Sequence, residues 1–441
     1  MKHRTLITFT ASLAALCSLA IPQTRAGGQT LTVVGTYNTG LGGNGAEIIS
    51  IRSKSGLAAI TNIAGSIDVL DVRNPAAITL IRRIDVSVHG TPNSVSIHPS
   101  KDYLLVAHGT AGNVGKVSAW RISDGAFLTV ANAGIQPDSI KISPDGEHAV
   151  VANEAEGVTT GNDGGAGSLT LLDLDNFNPH RPRALQVTQV ALPSAAGVPG
   201  FSVNRKDDLA RLAISNEPST LEPESVTFDK RSRYAFVTLQ ENNGLVRLSL
   251  RTKQVSYFGL GETSHLSDLT VGGGYQPTEG LTSLREPDGV FVFGHNGRYV
   301  VTADEGDTRN SGGSSGPRGG RTVSVLDTVT GTVVDTGTAL DDIANSIGAY
   351  PDSRSNRGGS EPEGLAGIMV KDRVVVAVGL ERGSAVVLLD VTDTTVAPVV
   401  LGIAATGVGP EGVEFMHRNG ALWVLTANEV DGTVTAVRVD L

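Results

Sequence analysis

The chain has 441 residues, with 45 acidic against 35 basic side chains and a formal charge of −10. That length can bury a sizeable core without cross-links, and one cysteine cannot build a disulfide framework. The acidic balance argues against nucleic acid or an anionic membrane as the main partner and favours cations or cationic surfaces.

The first element is a leader. Lys2 and Arg4 open it, residues 6–21 are apolar, and "TRA" ending at Ala26 supplies small residues for cleavage, as in a secretory signal peptide spanning residues 1–26. Cys17 falls inside it, behind Leu16 rather than the small residue that lipidation requires. The expected mature chain, residues 27–441, is therefore cysteine-free, exported to a periplasm or beyond, and without a transmembrane segment. Loss of Lys2, Arg4 and Arg25 leaves 32 basic against 45 acidic side chains, a net charge of −13.

From there the chain repeats itself. After the strand-like "QTLTVVGTY" at 29–37, seven similar units begin at Ala46, Pro92, Pro137, Pro223, Pro287, Pro362 and Pro410. Each holds three alternating or apolar runs, such as "SIKISP", "HAVVAN" and "SLTLLDL", and a more variable fourth run fits before the next start. Repeats of this length with short strands and Asp-Gly or Asn-Gly turns predict an all-β, seven-bladed β-propeller of four-stranded blades. The last unit lacks residues for its fourth strand, so the N-terminal strand is expected to join it and close the ring. A pair of β-sandwiches is the plainer alternative.

Two acidic positions recur in the units. The residue after each start is Glu47, Asn93, Asp138, Glu224, Asp288, Glu363 or Glu411. A second set lies 16 to 19 residues beyond each start: Asn62, His108, Glu154, Glu241, Glu305, Glu381 and Glu429. In antiparallel hairpins both sets fall at one end of every unit, which predicts two rings around one channel mouth. The polar insertions at 156–167, 216–224, 304–320 and 350–364 adjoin the same end.

The run "PDSIKISPDGEHAVVANEAEG", followed by "LEPESVTFDKRSRYAFVTLQENNGLV", "TADEGDTR", "SEPEGLAG" and "GPEGVEFMHRNGALWVLTANEVDGTVTAV", resembles the bacterial choice-of-anchor I family. That family is similar to mesenchyme-specific cell-surface glycoproteins and to lactonase-type propellers. The resemblance covers nearly the whole mature chain and implies a secreted propeller-like domain, often followed by a variable anchor. Here the quoted sequence ends on a strand at Leu441. Some relatives carry an alkaline-phosphatase label whose catalytic residues do not map onto these positions.

Like charges around one mouth demand a counter-charge or raised pKa values. Calcium, which takes six to eight oxygens, is the expected cofactor, with Glu224, Glu241, Asp288, Asp304, Glu305, Asp307, Glu363, Glu411 and Glu429 as candidate ligands. The breaks at Asn62, Asn93 and His108 favour a local site over a sevenfold one. Turn capping by the same side chains is the plain alternative. His108 is a candidate general base, and Arg309, Arg354 and Arg357 are candidates to bind a ligand's anionic groups. Two functions follow: a secreted scaffold that binds a divalent cation and, through it, a small-molecule or cell-envelope partner, or a metal-dependent phosphoesterase using the same acids. "GGSSG" at 312–316 lacks the strand and helix of a nucleophile elbow, and the mature chain has no phosphate-binding loop or zinc motif.

Overall fold

The computed structural model describes residues 31–109, 114–155, 165–201, 218–306 and 319–441. The expected leader with Cys17, together with Asp307 and Arg309, lies outside the described residues. Seven four-stranded antiparallel sheets form the seven blades of a β-propeller. Blade 1 runs from Ile49 to Asp85, blade 2 from Thr91 to Ile135, blade 3 from Pro137 to Ala191 and blade 4 from Pro223 to Gly259. Blade 5 runs from Pro287 to Asp335, blade 6 from Pro362 to Ala405, and blade 7 from Pro410 to Val439. Leu31–Asn38 is the fourth strand of blade 7, pairing from Leu31↔Val439 to Asn38↔Thr433. The two ends of the chain thus close the ring, as the missing fourth strand implied.

Second and third strands such as Tyr234–Leu239 are buried on both faces, because each blade is sandwiched between two others. Val150, Leu169 and Leu171 of blade 3 pack with Val226, Phe228, Val237 and Val246 of blade 4 in one continuous apolar layer. Continuous apolar runs follow from this two-sided burial; they replace the apolar–polar alternation of a sheet with one wet face.

The innermost strands carry the feature that positions the site. In six blades the ladder slips just after the opening proline: Pro137 pairs with Asn153 but Ile140 with Val151, and Pro287 pairs with Asp304 but Val290 with Thr302. The same slip occurs after Pro92, Pro223, Pro362 and Pro410. A β-bulge re-aims its side chains, and the residue after each proline, acidic in every case but Asn93, lies in the bulge.

Close packing of neighbouring bulges explains the glycines that follow. A Cβ on Gly364 would stand 1.6 Å from Glu411 O, and one on Gly412 would stand 2.6 Å from Glu47 O. Gly412 N instead donates to Glu47 O at 3.0 Å, joining blade 7 to blade 1.

Connections between blades 3 and 6 are elaborate at the acidic end. The link from blade 4 to blade 5 contains a separate hairpin, Glu262–Ser267 paired with Glu279–Leu284, and the link from blade 5 to blade 6 contains helix α1, Ala339–Ser346. Neither was legible in the composition. Arg321, almost wholly buried, ties these links together by donating to Asp268 O, Ser355 O and Arg357 O at 2.8 to 3.1 Å.

Candidate metal centre at the acidic mouth

The innermost strands surround an axial cavity of about 310 Å³, whose wall includes Glu47, Asn93, Asp138, Asp288 and Glu411. These are first-set residues from five blades. Deeper along the bore Lys141 of blade 3 forms an ion pair with Glu414 of blade 7. Those blades stand nearly opposite in a ring of seven, so the pair crosses the bore below the carboxylates.

The second predicted set proves to be two sets out of register by one residue. The residue paired with each opening proline is His108, Asn153, Leu239, Asp304, Leu380 or Asn428, and Asn62 ends the equivalent strand in blade 1. Where polar, these side chains lie in the sheet and grip third-strand hydroxyls: Asn62 accepts from Ser66 Oγ at 2.9 Å, and Asn428 donates to Thr433 and Thr435. The next residue along, on the opposite side of the strand, is Ile63, Gly109, Glu154, Gln240, Glu305, Glu381 or Glu429. Asn62 and His108 therefore do not interrupt an acidic ring; they belong to the neighbouring one.

This shift corrects two candidates. Asp304 turns into blade 5, where its carboxylate accepts from Thr302 and Thr322 hydroxyls at 2.6 Å and from Ser324, with Arg285 Nε 4.0 Å away. Burial raises its pKa to about 6 against the opposing pull of Arg285, and its lone pairs are taken up inside the blade. His108 contacts Ser118 Oγ at 2.6 Å through Nε2 and Gly90 O at 3.3 Å through Nδ1, and burial lowers its pKa to about 4. One nitrogen serves blade 2 and the other the link that enters it, which leaves no free base at the mouth from this residue.

Asp288, Glu305 and Glu363 do converge: one carboxylate oxygen from each lies within 4.8 Å of the others. Bulges supply Asp288 from blade 5 and Glu363 from blade 6, and Glu305 follows the second strand of blade 5. Ser225 Oγ of blade 4 donates to Asp288 Oδ1 at 2.9 Å, and Gln240 Nε2 donates to Glu305 Oε2 at 2.6 Å. Glu363 Oε2 is shut from solvent and has no hydrogen-bond partner. The cluster draws on two blades.

Electrostatics agree with a missing counter-charge. Burial, reinforced by repulsion from Glu411 and Glu305, pushes Glu363 well above the carboxylate range. Burial raises Asp288 to about 6 and, with Asp138 and Glu429 nearby, Glu47 to about 8. Glu224 and Glu411 are displaced the same way, Glu224 by burial and then by Glu241, Glu411 by burial and then by Glu47.

The other candidates lie outside the three-residue cluster, with Glu411 close enough to repel Glu363 and Glu224 close to Asp288. Glu241 is buried behind Glu224, and Glu429 accepts from Asn44 at the blade 7–blade 1 boundary. Arg354 is committed to Glu361, and Arg357 is exposed on the blade 5–blade 6 link. Sequence reasoning missed Gln240 and Ser225, although both lie in the quoted motifs "TLQEN" and "PESVTF".

A family model of the choice-of-anchor I domain matches residues 47–315 and 317–394. The chain belongs to the choice-of-anchor I family. No curated protein matches it. Among solved structures this choice-of-anchor I domain is similar to Kuenenia stuttgartiensis hydrazine synthase, at 15% identity and TM-score 0.57 over 90% of this chain and 96% of that one. It is also similar to the Myceliophteria thermophila Cps50 (Swd1) β-propeller domain, at 11% identity and TM-score 0.54 over 93% of this chain and 100% of that one. At such identities the likeness is one of fold. No helix among the described residues is long and apolar enough to cross a membrane.

Proposed function

We propose that this member of a surface and exported protein family is a binding scaffold whose acidic mouth holds a divalent cation, calcium above others, and through it engages a ligand or envelope partner. The observation that carries the reading is the convergence of Asp288, Glu305 and Glu363 within 4.8 Å, with an enclosed Glu363 oxygen lacking a partner. Oxygens this close need only a small inward shift of their side chains to share one calcium ion at ~2.4 Å. Backbone carbonyls and water complete such a shell, and a bound dication offsets the repulsion that raises the surrounding carboxyl groups. Isothermal titration of chelator-treated protein with CaCl₂, alongside melting curves, tests it. The expected result is saturable binding and a raised Tm, both lost in the double variant Asp288→Asn, Glu363→Gln. A parent protein with no calcium-dependent Tm shift, or a double variant that responds as the parent does, would overturn the reading.

A further inference from the structure

We propose a second recognition surface, independent of the cation site: an apolar rim over blades 7, 1 and 2 that docks a cationic polypeptide segment bearing aliphatic side chains. Ile63, Val88, Val114, Val408 and Val430 are between 46 and 75% exposed. All five stand at the acidic end, in links between blades or at turns joining second and third strands.

Backbone contacts make most of this rim continuous. Val430 N donates to Val408 O at 3.1 Å, Asn44 N to Glu429 O at 2.7 Å, and Ile63 N to Asn44 O at 2.9 Å. Val86 N donates to Gly65 O at 2.9 Å, which brings the turn carrying Val88 against the turn carrying Ile63. Val114 extends the series onto blade 2, at the start of its third strand.

A single exposed aliphatic side chain needs no explanation, but five along neighbouring turns and a strand start are a surface. The inserted hairpin and helix α1 rise at the same end from the links on either side of blade 5. Among the described residues, the links at blades 7, 1 and 2 carry no inserted hairpin or α-helix, and their rim adjoins the carboxylate-lined cavity.

Charge selects the occupant. Glu429, Asp431 and Asp85 lie among the five side chains, Arg83 is spent on Asp68, and Lys116 is the base near His89. A chain of formal charge −10 repels a second copy and an anionic bilayer alike. Basic groups set between aliphatic ones satisfy both the acids and the rim.

The test uses the full chain and three labelled peptides: Lys and Leu, Lys and Ser at equal charge, and Glu and Leu. Fluorescence anisotropy at physiological ionic strength is expected to give saturable binding of the Lys/Leu peptide, with the Lys/Ser peptide at least about tenfold weaker and the Glu/Leu peptide not bound. The variant Ile63→Ser, Val88→Ser, Val430→Ser should weaken the Lys/Leu peptide about tenfold or more. Val329→Ser with Val396→Ser, in turns at the opposite end, should change nothing. Melting curves check that each variant folds, and the single variants Ile63→Ser and Val430→Ser serve if the triple one does not. Equal binding of the Lys/Leu and Lys/Ser peptides, undiminished binding by the folded rim variants, or binding to anionic phospholipid vesicles instead of the peptide would overturn the proposal. Loss of calcium binding leaves this outcome untouched.

Discussion

Gln240 reaches from blade 4 to blade 5 and donates its side-chain amide to Glu305 Oε2 at 2.6 Å. It occupies the position that Glu154, Glu305, Glu381 and Glu429 hold in other blades, so one blade contributes a neutral donor where four contribute an acid. A donor of this kind fixes the orientation of a carboxylate without adding charge to the cluster. Gln240→Leu is therefore expected to weaken calcium binding about tenfold in titration calorimetry. Chelated protein should melt within a few degrees of the parent. Unchanged affinity would assign Gln240 to packing alone.

Asp304 gives the opposite signature. Its carboxylate is buried, bound by three hydroxyls and close to Arg285, which itself donates to Asp335. Asp304→Ala strands those donors in the blade, and urea unfolding should show a loss of about 3 kcal/mol. Calcium affinity of the folded variant should stay within about twofold of the parent, because this side chain points away from the cluster. A large affinity loss with intact stability would place Asp304 among the ligands after all.

The fold was legible because its rules are periodic: run lengths, turn pairs and the missing seventh fourth strand together dictated a closed ring. The site was legible only halfway. Spacing located the acidic end and named Asp288, Glu305 and Glu363, but counting residues cannot resolve a one-residue register, and side chains one residue apart face opposite sides of a strand. Asp304 and Glu305 were read as one cluster when one anchors a blade and the other faces the mouth. The bulge that turns Asp288 and Glu363 inward has no signature beyond Pro-Asp-Gly and Pro-Glu-Gly, in which glycine admits the next blade's backbone. Gln240 was passed over because a neutral amide looks like no ligand.

Ring closure at the mouth rests on those glycines. A methyl group on Gly364 would meet Glu411 O at 1.6 Å, and that atom is backbone of the next innermost strand, which cannot swing aside. Gly364→Ala is expected to cost about 3 kcal/mol or more and to lower Tm in calorimetry. Gly280→Ala, in the exposed inserted hairpin with open space at its Cβ, is the matched control and should be near neutral. Comparable losses from both would show that strand glycines matter here for reasons other than close approach.

Proton linkage makes the last prediction, and its sign runs against the usual behaviour of acidic proteins. Folded Asp288 titrates near 6, Glu381 near 7 and Glu47 near 8, each raised first by burial, and Glu224, Glu363 and Glu411 are also raised well above the carboxylate range. Unfolded carboxyl groups titrate near 4, so between about pH 4 and 8 the folded chain binds more protons than the unfolded one. The stability these groups contribute is complete below the unfolded value and is lost as pH rises through the folded values. His98, His108 and His265 act oppositely: burial lowers each to about 4, so their contribution is present above ~6.5 and lost as pH falls towards 4. Six raised carboxyl groups outnumber three lowered imidazoles, so in chelator Tm should be highest at the acid end, near pH 4 to 5, and decline steadily to pH 8.5. Calcium should flatten the alkaline limb, since an ion that replaces the protons stabilises the ionised cluster. The comparison needs only melting curves from pH 4.5 to 8.5 with EDTA or CaCl₂. A Tm that holds level or rises from pH 6 to 8.5 in EDTA would mean that these carboxyl groups are already charged and solvated in the folded chain.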